Sequence, residues 1–142
     1  MNFKCNTEIN KPINEVVKHF VAPEAHKQSQ KDFIKMEPLS GKVGEAGATC
    51  KLVYKKFDLI ETIIYNKLPH EFFANYEHKS MTNTMLTKFT ATNEAKTLMD
   101  VEIDYLKFRG FIIKLIAKLF PSMFKKQVQK WLVRFRTYCE KQ

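Results

Sequence analysis

The sequence predicts an α+β protein: an antiparallel sheet of about six or seven strands, two short helices after the first strand, and a long helix at the carboxy end. Three observations carry this. Five successive stretches between Ala48 and Phe108 are rich in β-branched and aromatic residues and are separated only by turn chemistry, so neighbouring strands run antiparallel. The last of them alternates cleanly, with Met99, Val101, Ile103 and Tyr105 on one side and Asp100, Glu102 and Asp104 on the other. One sheet face is therefore wet and the other needs a cover. After Gly110, apolar residues recur at helical spacing from Phe111 to Tyr138 and supply one.

In chain order, Phe3, Cys5, Thr7 and Ile9 alternate along a first strand from Asn2 to Asn10. Pro12 suits the first turn of a helix, where its missing N–H is not needed, and Ile13, Val16, Val17 and Phe20 follow at helical spacing. Pro23 stops that helix. Glu24 to Gln30 reads as a second short one, polar enough to lie on the surface. Phe33, Ile34, Met36 and Leu39 mark the next strand. Ser40 to Gly47 is glycine-rich but lacks the Gly-Lys-Ser/Thr ending of a phosphate loop and precedes a strand, so it reads as a turn.

Strands then span Thr49 to Lys56, Phe57 to Lys67, Glu71 to Lys79, Met81 to Thr92 and Thr97 to Phe108. Pro121 removes an amide from the terminal helix and disfavours helical geometry at Phe120, so a break is expected between Phe120 and Ser122.

At 142 residues the chain is long enough for one domain, 1–142, with a core that needs no staple. Its 44% apolar and 27% charged residues argue against disorder. Charge is unevenly placed. Lys107 to Gln142 holds ten Lys or Arg and one acid, so the entire net charge of +9 lies there. Cys5, Cys50 and Cys139 show no C-x-x-C spacing and read as reduced, buried thiols. The amino end lacks a signal-peptide core, and Phe111 to Phe124 is too short and too interrupted by lysine to span a bilayer, so a cytoplasmic location is expected.

Chemistry is sparsely marked. His19, His26, His70 and His78 have no metal-ligand spacing, and no nucleophile elbow or catalytic triad order stands out, so neither a metal nor a cofactor is expected. Asp100, Glu102 and Asp104 belong to the wet face. Glu61 lies between Leu59 and Ile63 on one strand face; a carboxylate there needs a partner, unless a bulge turns it outward. Phe72, Ala74, Tyr76 and His78 share a face. Turned inward, Tyr76 and His78 supply polar contacts to an apolar interior; turned outward, with Phe73 buried instead, they are merely exposed. Tyr54, Tyr65, Tyr76 and Tyr105 all lie in strands, where a ring lines a wall and a hydroxyl reaches a head group.

The element order, together with Asn10-Lys11-Pro12-Ile13-Asn14-Glu15-Val16, Glu37-Pro38-Leu39-Ser40-Gly41, Lys51-Leu52-Val53-Tyr54 and Phe124-Lys125-Lys126-Gln127-Val128, resembles the START-like or SRPBCC (helix-grip) superfamily. That superfamily includes polyketide cyclase/dehydrase-like, coenzyme Q-binding and pollen-allergen-type proteins. The likeness spans nearly the whole chain. It departs where many relatives carry a Trp and this chain has His26-Lys27-Gln28-Ser29-Gln30.

The resemblance implies a curved sheet gripping the terminal helix, with a cavity between them for a hydrophobic or amphipathic ligand such as a lipid, fatty acid, polyketide or quinone. The residues expected around that ligand are Tyr54, Glu61, Tyr76, His78 and Tyr105 from the strands and Ile116, Phe120 and Phe124 from the helix. A small cyclase-like enzyme using the same cavity is the alternative. A third reading docks the basic helix on an anionic membrane through Lys114, Lys118, Lys125 and Lys126. Nucleic acid is not expected, because the aromatics of the tail follow its apolar stripe and do not interleave with charge.

Overall fold

The computed structural model describes residues 1–142. The elements are β1 (Asn2–Ile9), α1 (Ile13–Val21), α2 (Pro23–Ser29), β2 (Phe33–Ser40), β3 (Thr49–Tyr54), β4 (Asp58–Lys67), β5 (Glu71–Glu77), β6 (Met81–Asn93), β7 (Lys96–Phe108), α3 (Phe111–Leu119) and α4 (Ser122–Glu140). The strands form one curled antiparallel sheet in the order β1-β7-β6-β5-β4-β3-β2. Strands β2 to β7 follow each other through short turns. β1 and β2, consecutive in sequence, lie at opposite edges, and α1 and α2 carry the chain between them.

Alternation decides which face is dry. In β7, Thr97, Met99, Val101 and Ile103 are buried, and in β1, Cys5, Thr7 and Ile9 are. α4 covers this end of the sheet. Leu132, Phe135 and Cys139 are three and four residues apart, so they share one helix face, and all three are buried. Phe20 of α1 meets Phe72, Phe89 and Phe135 edge-on, with ring centroids 5.6, 5.1 and 6.3 Å away. Each such side chain contributes about 1.5–3 kcal/mol through burial.

The break in the terminal helix falls where Pro121 requires it. α3 ends at Leu119, Phe120 leaves helical geometry at φ −132° and ψ 55°, and α4 begins at Ser122. Two features differ from expectation. α2 is not a surface helix: Ala25 and Ser29 are buried, and Ser29 Oγ donates a 2.6 Å hydrogen bond to the Ala25 carbonyl that removes the cost of its hydroxyl. α3, the most apolar helix, has no buried residue at all. At the β2–β3 turn, Gly41 has φ +74°, and a Cβ there would lie 2.9 Å from the Ala48 Cα, so no larger residue fits.

Candidate functional site

α4 packs on β1 and against α1 and α2, at one end of the sheet. The inward side chains of β3, β4 and β5 are left facing a gap that α2 and the middle of α4 enclose. The gap is a cavity of about 700 Å³. Leu52, Ile63, Phe72, Met85, Val128 and Trp131 form much of its apolar wall.

Strand register sets a polar line into that wall. Cys50 pairs with Glu61, Glu61 with Tyr76, and Tyr76 with Asn83, so four adjacent strands place these residues side by side on one face. All four line the cavity. Tyr76 Oη donates a 2.7 Å hydrogen bond to Glu61 Oε2. Burial pushes the Glu61 carboxyl above its ordinary value, and the Tyr76 hydrogen bond only partly opposes this. Burial and the nearby Glu61 carboxyl together push the Tyr76 phenol up.

A second polar group lies toward α2. Tyr54 Oη donates to Gln30 Oε1, and Gln30 Nε2 lies 3.0 Å from His26 Nδ1. Burial pushes the His26 imidazole below its usual range and so favours its neutral form. Tyr54 stacks on Phe57 at 4.6 Å, which fixes its ring against the cavity.

Of the eight residues expected around a ligand, Tyr54, Glu61 and Tyr76 are brought together at the cavity. The other five stand elsewhere. His78 lies just past the end of β5, where its Nδ1 accepts from the Ser80 N–H and its ring meets Phe57 edge-on. Tyr105 continues the polar line as the partner of Asn83, but Phe108 stacks on it at 5.4 Å and Phe124 meets it at 5.1 Å, so this trio seals one end of the wall. Ile116 and Phe120 sit on or beside α3, outside the lining, because α3 leaves the sheet after Gly110 and does not pack back onto it. Tyr65 is turned outward by a bulge between Ile63 and Tyr65 and donates to Glu71 on the wet face.

Lining residues that alternation did not point to include His26 of α2 and Gln30 just past its end, Asn83 of β6, and Trp131 and Arg134 of α4. The i, i+3 spacing of Trp131 and Arg134 places them on one face of α4, a signal visible only once the helix is known to border the cavity.

Lys114, Lys118, Lys125 and Lys126 are all exposed. No basic residue from Lys114 to Lys141 enters an ion pair, while nine pairs form elsewhere in the chain, five of them between strand residues. Around this positive charge, Phe111 is 80% and Ile112 72% exposed, with Leu119, Phe120 and Met123 exposed nearby. No group of three or more His, Cys, Asp or Glu side chains converges to hold a metal ion.

No family model matches the sequence, and no curated protein does. Solved structures match in fold. A Streptomyces aromatase/cyclase is similar with a TM-score of 0.80 at 7% identity, over 99% of this chain and 93% of that one. The protein Ara h 8.0201 is similar at 0.74 and 12% identity, over 100% and 99%. A START superfamily protein from Mycobacterium smegmatis is similar at 0.68 and 12% identity, over 96% and 98%. The chain has the START-like, helix-grip fold.

Proposed function

We propose that the protein binds a hydrophobic or amphipathic small molecule, such as a lipid, fatty acid, polyketide or quinone-like compound, in the cavity between sheet and α4. The observation that carries this reading is the cavity itself: about 700 Å³, walled mainly by apolar side chains, with a few polar groups gathered on one line. Small-molecule sites have this size and this balance. Burying about 200 Å² of apolar ligand surface contributes roughly 5 kcal/mol, at about 25 cal/mol per Å². The fold shared with an aromatase/cyclase and a START superfamily protein supports the same reading. The chain acts as one domain, in the cytoplasm. Native mass spectrometry of the purified protein, before and after organic extraction and after incubation with lipid mixtures, tests it. One bound apolar molecule per chain is expected; a chain that takes up no lipid probe contradicts it.

Glu61 and Tyr76, hydrogen-bonded to each other in the cavity wall, also favour the enzyme alternative, since general acid–base chemistry needs two such groups at one place. Turnover of a cyclisable polyketide, lost in Glu61→Gln, is its test.

A second surface reading rests on α3. Its nine residues extend about 14 Å, far short of a hydrocarbon core of about 30 Å, so the helix lies on a bilayer and does not cross it. Exposed Phe111, Ile112 and Leu119 enter the interface, and the unpaired Lys114, Lys118, Lys125 and Lys126 meet anionic head groups. Sedimentation with vesicles containing phosphatidylserine, at low and high salt, decides it. Salt-sensitive binding is expected, and self-association through α3 without vesicle binding contradicts it.

A further inference from the structure

We infer that the molecule held in the cavity carries a hydrogen-bond donor, a hydroxyl, phenol or amine, on an apolar body, and that Glu61 selects it over a carboxylate of the same length. This rests on the cavity reading and adds the chemical class of the ligand. Donors on the polar line are spent, and one acceptor is not. Tyr76 spends its proton on Glu61 Oε2, and Tyr54 spends its own on Gln30. Cys50 Sγ donates to the Lys51 carbonyl. Glu61 Oε1 receives no hydrogen bond, and Glu61 forms no ion pair. This stretch of wall has therefore used its hydroxyl and thiol donors and kept an acceptor; the one buried donor left unpartnered on the lining, Trp131 Nε1, belongs to α4 and stands apart from this line of strand residues. Asn83 offers both kinds of group and does not discriminate.

A ligand hydroxyl or ammonium meets an open carboxyl oxygen there, in an apolar setting where an unmade hydrogen bond is costly. A ligand carboxylate meets a like charge. Its only cationic neighbours on the lining are Lys31 and Arg134, both exposed, so an anionic head would turn outward toward them and leave Glu61 facing the chain.

Trp131 is the sole tryptophan and lines the cavity, so its emission reports occupancy. The experiment titrates 1-decanol below its solubility limit, and decylamine and decanoate below their micelle concentrations, into the wild type, Glu61→Gln and Arg134→Gln at neutral pH, with native mass spectrometry in parallel. In the wild type, decanol and decylamine bind about tenfold or more tighter than decanoate, the effect of one hydrogen bond to a charged group. In Glu61→Gln, which keeps the shape of the side chain, decanoate gains, decylamine loses, and decanol and decanoate fall within about threefold of each other. Decanoate binding as tightly as decanol in the wild type, or a preference untouched by Glu61→Gln, overturns the inference and leaves the cavity reading standing. Decanoate binding lost only in Arg134→Gln, with the wild type preferring it, also overturns it. Absence of every probe from both the spectra and the mass spectra overturns the cavity reading and this inference together.

Discussion

Tyr76 and Glu61 face each other across β5 and β4, and the phenol of the first donates a 2.7 Å hydrogen bond to the carboxyl of the second inside the cavity wall. The pair has a pH signature. Burial raises the folded-state pKa of Glu61 above its ordinary 4.5, the value it regains on unfolding. A group shifted this way contributes stability in full below about 4.5 and loses it as the pH rises through the folded value. Glu61→Gln keeps the shape and removes the charge, so it raises the melting temperature at neutral pH and gives no gain below pH 4.5. Tyr76→Phe does the opposite at neutral pH, costing about 1.5–3 kcal/mol through the lost bond to a charged group. Thermal melts across the pH range check both signs. A neutral-pH melting temperature unchanged in Glu61→Gln contradicts the assignment of a buried, poorly compensated carboxyl.

Packing at the two ends of the sheet differs, and substitutions separate them. Leu132 and Phe135 lie in the solid end, 0% and 2% exposed. Leu132→Ala costs about 2–5 kcal/mol and Phe135→Ala about 3–5 kcal/mol. Met85 borders the cavity, so Met85→Trp has room to enlarge. Its stability stays within about 1.5 kcal/mol of the wild type, while lipid uptake by native mass spectrometry is lost. Denaturant titrations measure the first effect. Retained uptake in a folded Met85→Trp protein contradicts the location of the site.

The basic surface is separable from the cavity. Reversing Lys114, Lys118, Lys125 and Lys126 to Glu abolishes binding to anionic vesicles. All four are exposed, so each changes stability by no more than about 0.5 kcal/mol. Replacing Phe111 and Ile112 with Ser weakens the same binding without altering its salt dependence, since it removes insertion and leaves attraction. Vesicle sedimentation over a salt series is the measurement. Equal binding by the charge-reversed protein contradicts the role of these lysines.

Three thiols report on three environments. Cys139 is 0% exposed and its thiol is pushed up to about 12, chiefly by burial, and Cys5 is buried under α4. Cys50 is half-buried and lines the cavity. A small alkylating reagent modifies Cys50 first in the native protein, and a cavity ligand slows it. Intact-mass kinetics follow the reaction. Native-state modification of Cys139 ahead of Cys50 contradicts the packing of α4.

Alternation and turn chemistry were enough to read the strands, and Pro121 located the helix break to within a residue, because both signals are local. Which side chains meet in the cavity is not local. Cys50, Glu61, Tyr76 and Asn83 come from four strands, and only the register between them sets these residues in one line. The expected bulge risk near Glu61 was real but fell two residues later, so it turned Tyr65 outward and left Glu61 inside. Parity placed Tyr76 and His78 on one face, yet His78 lies beyond the strand end and never reaches the lining. Ile116 and Phe120 share the apolar character of the α4 residues that are buried. Nothing in their spacing distinguishes a helix that packs on the sheet from one that leaves it.

The most direct measurement is a set of intermolecular NOEs between bound, unlabelled 1-decanol and protein carrying labelled Ile, Leu, Val and Met methyls. Contacts from the decyl chain to Ile63, Leu52, Met85 and Val128 are the predicted result, with the methyls of Ile112 and Leu115 on α3 silent. Contacts confined to α3, with Ile63 and Met85 unaffected, would contradict a ligand held between sheet and helix.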